Sequence, residues 1–541
     1  MSEYSANNVW LLNFANGNQY NNNKYNANYV RAVAALHDET GREGFPVTDE
    51  FRTQFEMDMF QAAENCFQGK NDSRQAMEYY PFHKIDVVDI ADSIINKTWR
   101  PAPLRKFIID YPTKREIYSS IMRDRIIDTY VSYRIEPLMD KILSDQATAC
   151  RCGLGTIATV TQAYGAMDKI SEHYTKNCWC ETWDTQSYYM SIDKMLLLNM
   201  ILSLFDYFWE GETMEADICK WIITLRLMKD YAADAIQCSP SEKWIGLNPK
   251  KILANQPEGF GIPIGLLSTN ESANIYMAVI DDFIINGLGY GDGYGRSIDD
   301  CWAIHQDKEK MLHDMPLIRE KYAQFNLTIH PKKYYMQHYT KGFKVQNAFI
   351  KPGRIHIAKR PVTNCLQKIH WYNEKAKENV TFKREKVETF VSTINSYLGQ
   401  MKNYDEFNLR REICQAVYEV WKDVLYPDRD NYFKLIVRRR YKQSSRIRRH
   451  LKKVKRKFNI DMKSQPVRNF GPAERALPKE KIKEGAWIGR AAITDQTEPE
   501  TDEQGNVTGT RVIEGMKTWI EMRYDHEPSK SELELLATRE C

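Results

Sequence analysis

Two carboxylate-bearing segments, far apart in the chain, most limit what this sequence can fold into. Asp184 ends the Cys/Trp-rich run Cys178-Trp-Cys-Glu-Thr-Trp-Asp, and the chain continues from it into a helix start. Asp299 and Asp300 lie in Tyr294-Gly-Arg-Ser-Ile-Asp-Asp-Cys-Trp-Ala-Ile, where a Gly-rich turn over Gly291–Gly295 meets an apolar strand. That order of turn and strand favours a hairpin. Two such strand ends, side by side in one small sheet, give an all-oxygen site suited to Mg²⁺. Two such ions serve in-line attack on a nucleoside triphosphate: one activates a 3′-hydroxyl, the other neutralises the leaving pyrophosphate.

The chain also repeats the Ile-Asp-Asp string at Ile280-Asp281-Asp282-Phe283. There Tyr276, Val279/Ile280 and Phe283 fall three and four apart, the spacing of an amphipathic helix. Asp281 and Asp282 are therefore expected on its solvated face, and Asp299/Asp300 to carry the chemistry. Ahead of that helix, Gly261 to Asn270 reads as a tight loop whose glycines let backbone approach a base pair closely. Lys332 and Lys333, after His330-Pro331, are within reach of phosphate by type. Arg115, Arg123, Arg125 and Arg151 are candidates for a triphosphate clamp, since guanidinium offers bidentate phosphate contacts.

The chain has 541 residues, which suggests three or four structural units. Hydrophobic residues at 43% and charged residues at 27% are ordinary globular values and exclude general disorder. No apolar run reaches the roughly 18 residues of a membrane helix. The start Met-Ser-Glu-Tyr-Ser-Ala-Asn-Asn lacks the pattern of a signal peptide, so a soluble, cytoplasmic protein is expected. A net charge of only +4 means that any nucleic-acid surface must come from clustering. Eleven cysteines are scattered; the close pairs Cys150/Cys152 and Cys178/Cys180 are C-x-C, not the C-x₂-C of common zinc sites, and read as packing thiols.

Composition also marks boundaries. Between Asn13 and Asn28 eight of sixteen residues are Asn, a polar arm over 1–34 with no means of burying a core. Phe107-Ile108-Ile109 reads as a strand, and Ile117 to Pro137 as a helix with Ile121, Ile126/Ile127, Tyr130 and Ile135 on one stripe. Strands and helices alternate from 181 to 355, as a mixed sheet with packed helices requires. Residues 380–426 read as helices burying Val387, Phe390, Val391, Ile394 and Leu398. From Arg438 to Lys457 twelve of twenty residues are basic and none acidic, whereas 495–541 holds twelve acids against five bases.

Taken in order, these strings resemble the reverse transcriptases of diversity-generating retroelements, within the group-II-intron-like reverse transcriptases of bacteria and phages. Ile108-Ile109-Asp110-Tyr111-Pro112-Thr113-Lys114-Arg115, then Arg123-Asp124-Arg125, is similar to the first fingers motif, and Ala149-Cys150-Arg151-Cys152-Gly153-Leu154-Gly155-Thr156 to the second. Asp184 through Asp193 resembles the first palm motif. Gly261 to Tyr276 resembles the G-I-P-I-G-N-L-T-S-Q loop and helix, and Tyr294 to Asp300 the string Y-G-R-Y-x-D-D. His330-Pro331-Lys332-Lys333, Lys351-Pro352-Gly353-Arg354 and Asn395-Ser396-Tyr397-Leu398-Gly399 complete the series. The chain departs from the family at Ser297, Leu266, Thr269-Asn270, Cys152 and Thr185-Gln186. The stretch Asn8 to Val33 resembles the translated variable segment of the family's target proteins.

The resemblance implies an α+β right-hand polymerase, with a palm of small antiparallel sheet plus helices. Its expected divisions are an arm at 1–34, fingers at 35–180, palm at 181–355 with a fingers insertion near 215–260, helical thumb at 356–457 and an appendage at 458–541. It implies RNA-directed DNA synthesis on a template-repeat RNA, with errors at adenines. Asp184, Asp299 and Asp300 are expected to hold two Mg²⁺ ions, with Mn²⁺ a substitute. Arg115, Arg123, Arg125, Arg151, Lys332 and the steric-gate candidate Tyr189 are expected at the dNTP. Gly265, Leu266, Leu267, Thr269, Asn270, Arg438, Arg439, Arg440 and Lys442 are expected at template and primer. Partners would be template RNA, the cDNA product and a small basic accessory protein, with no membrane. An anti-phage defence reverse transcriptase and an inactive RNA-binding scaffold are the alternatives. The basic block brings like charges together at 438/442, 448/452 and 449/453, repulsion that a polyanion relieves. Neutralising Arg438, Arg439, Arg440 and Lys442 together should flatten the salt dependence of RNA binding by about 3–4 units of slope. Titration of binding against salt checks this; an unchanged slope makes the block surface charge.

Overall fold

The structure, a computed structural model, describes residues 44–68, 74–110, 113–151, 153–377, 384–428 and 430–438, with the backbone of four strands between 487 and 524. Helices dominate and the sheets are small and almost wholly antiparallel, an α+β chain. The strands are β1 (Arg105–Ile109), β2 (Arg115–Ser119), β3 (Trp179–Asp184), β4 (Ile236–Gln237), β5 (Tyr294–Ser297), β6 (Asp300–His305), β7 (Tyr335–His338), β8 (Phe343–Val345), β9 (Ala348–Lys351), β10 (Arg354–Ile357), β11 (Leu425–Pro427) and β12 (Leu435–Val437). Two compact units share them, each assembled from separated segments. The first takes residues up to Lys141 and Asp193–Ser272; the second takes Ile142–Ile192 and Ala273–Arg446. The Asn-rich arm lies outside the described residues. Of the appendage only four strands are described, paired antiparallel as Trp487–Ala492 with Trp519–Tyr524 and Thr497–Thr501 with Val507–Val512.

The first unit is mostly helical. Thr48 caps the Asp49–Phe67 helix by accepting from the Phe51 N–H at 3.1 Å, and Asp49 and Glu50 in its first turn suit the helix dipole. Asp193 caps Lys194–Phe208 in the same way, and that helix buries Leu197, Leu198, Ile201 and Leu204. The expected Ile117–Pro137 helix has a strand at its start. Glu116 and Tyr118 alternate inward, so Arg115–Ser119 pairs with β1, and the helix runs instead from Met122 to Asp140 with Pro137 in its last turn. The buried Glu116 carboxylate then gathers the loop beyond: it accepts from Tyr118 Oη at 3.0 Å, Trp244 Nε1 at 2.8 Å and the Leu253 N–H at 3.0 Å. In the helical core, Arg226 is saturated by Asp124, Asp128, Tyr231 and Ser120.

The second unit is built on a four-stranded antiparallel sheet in the order β5-β6-β3-β7. One face, with Cys178, Cys180, Trp302 and Ile304, packs on Val160, Ala163 and Met167 of the Thr156–Ile170 helix. The alternate residues Trp183 and Cys301 face Tyr322 of the Lys308–Gln324 helix. Beyond it lie the β8–β10 sheet and the helices Lys359–Lys377, Arg384–Met401 and Phe407–Trp421. Phe390, Ile394, Leu398, Ile413 and Val417 meet in one core, and the spacing expected for 380–426 holds. Cys178, Cys180, Cys301, Cys365 and Cys414 are buried free thiols, as expected of packing cysteines, but Cys150 is exposed, against that expectation; Cys152 lies outside the described residues.

One buried group is out of place. Asn199, 2% exposed on the Lys194–Phe208 helix, has neither amide nitrogen nor oxygen hydrogen-bonded. Asn199→Leu should therefore raise stability by about 1–3 kcal/mol in a thermal or denaturant melt. A fall would mean that a buried water satisfies the amide.

Candidate active site

The register of the central sheet brings the carboxylates together. Asp184, the last residue of β3, pairs with Asp300, the first of β6, and Ser297 of β5 pairs with the same Asp300. Ile298 and Asp299 form a two-residue hairpin loop between them. Such loops need positive φ, and Ile298 supplies it at +57°. A β-branched residue there costs on the order of 1–3 kcal/mol, so the surroundings must impose it. The peptides on both sides are tied down. The Ile298 carbonyl accepts from Arg296 Nη1 at 3.3 Å, and the Asp299 carbonyl from the Thr185 N–H at 3.3 Å. A Cβ on Gly295 would come within 2.4 Å of the Trp302 ring, so only glycine lets that cross-strand indole lie flat on the hairpin.

The electrostatics are those of crowded like charges. Burial, then Asp300, then Asp184 push the Asp299 carboxyl up to about 7. Burial and then Asp184 raise Asp300 as well. Asp300 is exposed and Asp299 half-buried. Two side chains offset the repulsion: Lys333 forms an ion pair with Asp184, and Gln346 Nε2 donates to Asp300 Oδ2 at 3.0 Å. Among the described residues no three His, Cys, Asp or Glu side chains close around a metal ion by themselves. The turn offers an open, all-oxygen set of mutually repelling carboxylates. That donor set fits Mg²⁺, which is commonly held by one or two carboxylates plus substrate phosphates.

The other expected site residues divide between the units. Tyr189 is half-buried in the short Tyr188–Ser191 helix, its ring centroid 5.6 Å from that of Tyr188, whose hydroxyl donates to the Ala273 carbonyl at 2.5 Å. Lys332 is exposed with its backbone N–H on His330 Nδ1; its neighbour Lys333 is the one that reaches a carboxylate. Arg151 donates to the carbonyls of Ser144 at 2.8 Å and Ala147 at 3.1 Å, bracing its own loop. Arg115, Arg123 and Arg125 belong to the first unit. Arg115 is exposed, Arg125 half-buried, and Arg123 is paired with Asp86 at 2.8 Å and Asp89 at 2.6 Å.

Gly265, Leu266, Leu267, Thr269 and Asn270 also belong to the first unit. A Cβ at Gly265, whose φ is +118°, would sit 2.4 Å from the Tyr118 carbonyl oxygen. The close approach this glycine permits is to β2 of its own chain, where the Tyr118 N–H donates to the Ile264 carbonyl at 2.8 Å. Leu266 and Thr269 are buried and line a pocket with Ile222, Ile223 and Ile262; Leu267 is exposed and Asn270 half-buried. Arg438 donates to the Lys422 carbonyl at 2.9 Å over the Tyr426 ring. Arg439, Arg440 and Lys442 lie outside the described residues.

One expectation is overturned. Asp281 is not on a solvated face: it is 1% exposed and forms a buried ion pair with Arg296. From Ala273 to Ile280 the helix is buried all round, so periodicity there identifies no wet side. The overlooked signal was Arg296, two residues from Tyr294 in a buried strand, where a guanidinium demands a carboxylate partner. Gln346 was the other contributor not singled out; Lys333, named for phosphate, pairs with Asp184.

Among solved structures the chain is similar to the telomerase from Candida albicans in complex with a TWJ fragment of telomeric RNA, at 9% identity and a TM-score of 0.35 over 59% of this chain. It spans 62% of that chain's length. No family model and no curated protein matches the sequence. No described helix is long and apolar enough to cross a membrane.

A second buried acid lies on β3. Glu181, 0% exposed, accepts from Tyr334 Oη at 3.0 Å, while its Oε1 has no partner. Burial raises its carboxyl from an ordinary 4.5 to about 8. Between those values the folded chain holds a proton that the unfolded chain releases, so stability should fall as pH rises through that window. Denaturant melts across the window should show a shallower decline for Glu181→Gln than for the natural sequence. Equal slopes would place the ionisation elsewhere.

Proposed function

We propose that this chain is an RNA-directed DNA polymerase of right-hand form. In this reading the second unit's sheet is the palm and the helices from 359 to 421 are the thumb. The observation that carries it is the register of Asp184 against Asp300 with Asp299 in the tied turn between β5 and β6. The order of sequence strings from Ile108 to Gly399 adds independent support.

Asp184 and Asp299 would hold Mg²⁺, with Asp300 beside them and the Thr185 carbonyl a further oxygen ligand. A divalent cation bound there supplies charge neutralisation for a 3′-oxyanion and for the departing pyrophosphate. The chain's own contribution is to hold the carboxylates close against their mutual repulsion. The reaction forms a bond from the primer 3′-oxygen to the α-phosphorus and breaks the bond to pyrophosphate. Tyr189, five residues after Asp184, would exclude a ribose 2′-hydroxyl. The Asn-rich arm favours a retroelement that diversifies a target gene over a defence enzyme, because Asn codons carry the adenines that such a template miscopies.

Primer extension on an RNA template with Mg²⁺ tests the reading. Asp299→Ala should lower nucleotide incorporation by at least roughly 100-fold, with melting temperature and RNA binding retained. RNA binding with no incorporation by the natural sequence would leave a scaffold instead. Product errors spread evenly over template bases would favour the defence role.

A further inference from the structure

The geometry points to Arg296 as the positioning residue of the carboxylate turn, acting with Asp281 and Asn274 to impose the left-handed conformation of Ile298. The inference rests on the polymerase reading for its catalytic consequence and on the hairpin alone for its structural one.

The network is closed and buried. Arg296 Nε donates to Asp281 at 2.8 and 2.7 Å, to Oδ1 and Oδ2. Its Nη1 donates to Asn274 Oδ1 at 2.5 Å and Nη2 to the Asn274 carbonyl at 3.0 Å. Tyr294 Oη donates to Asp281 at 2.8 Å, and the amide nitrogen of Asn274 donates to the Ala149 carbonyl. Arg296, Asp281 and Asn274 are all essentially inaccessible to solvent. The backbone of Arg296 is fixed too: its N–H donates to the Gln146 carbonyl at 3.0 Å, and its carbonyl accepts from the Thr148 N–H at 3.2 Å.

What remains of the guanidinium reaches the turn. Nη1 donates to the Ile298 carbonyl at 3.3 Å, the oxygen of the peptide that leads into Asp299. That bond orients the peptide plane preceding the carboxylate, at the residue least suited to its own backbone angle. A lysine would keep the charge opposite Asp281 but has no planar fork to hold Asn274 and Ile298 together. A buried ion pair adds little net stability by itself, and a well-defined local geometry is the better-supported return for burying it. Asp281 holds Arg296; Arg296 holds the turn.

Glycine adopts the left-handed conformation unaided, so Ile298→Gly should make the turn independent of Arg296. Four proteins are compared after a melt establishes that each folds: Arg296→Lys, Ile298→Gly, their combination, and Asp299→Ala. Arg296→Lys should raise amide exchange of the Ser297–Cys301 turn about tenfold in metal-free protein. It should also lower kcat roughly 10- to 100-fold with little change in nucleotide KM. The double variant should recover both. If Arg296→Lys does not fold, Asn274→Ala, which spares the ion pair, should show the same rise in exchange and the same rescue. Unchanged exchange, or no recovery by glycine, overturns the proposal. Full activity in Asp299→Ala overturns the polymerase reading and leaves the exchange result to decide the turn.

Discussion

The candidate site depends on one pairing, β3 against β6, which runs in unbroken register from Trp179↔His305 to Asp184↔Asp300. A slip of one residue would turn every side chain of β3 to the opposite face. Trp183 would leave Tyr322, Cys180 would leave the packing beneath Trp302 and Ile304, and Asp184 would leave Lys333. Bulky groups on both faces make each wrong register expensive, since each displaced indole or aliphatic side chain forfeits burial of roughly 1.5–3 kcal/mol. The apolar pattern of the strand is thus what aims the carboxylates.

Within each unit the chain buries charges, and each of these has a local job. Glu116 gathers a loop, Arg226 joins Asp124 to Asp128, and Arg296 joins Asp281 to a turn. Removing one partner would leave the other buried and uncompensated, which is costlier than the pair is stabilising. The carboxylates at the mouth differ. They repel one another and are only partly offset by Lys333 and Gln346, which leaves capacity for a cation.

Local pattern was enough to read the strand Phe107–Ile109, the buried face of Phe390, Ile394 and Leu398, and the hairpin ahead of Asp300. These are short-range periodicities, and tertiary packing did not override them. Asp281 was misread because a helix buried on every side has no polar face for periodicity to find. Lys332 and Lys333 are equivalent in type; only the turn after His330 decides which amine meets Asp184. The close approach Gly265 permits within the chain is to Tyr118, a neighbour remote in sequence. Residue identity gave the chemistry, while long-range contacts chose the partners.

The interleaving of the two units has a consequence for biosynthesis. β3 is made early, but its partners β6 and β7 follow only after the chain has laid down Asp193–Ser272 of the other unit. Until His305 has emerged from the ribosome β3 has two unpaired edges, and until His338 has emerged it still has one. Such an edge is a template for wrong pairing between nascent chains. Slow synthesis through 193–338 would prolong that exposure, so production of this protein should depend on holdase chaperones more heavily than its helical content suggests.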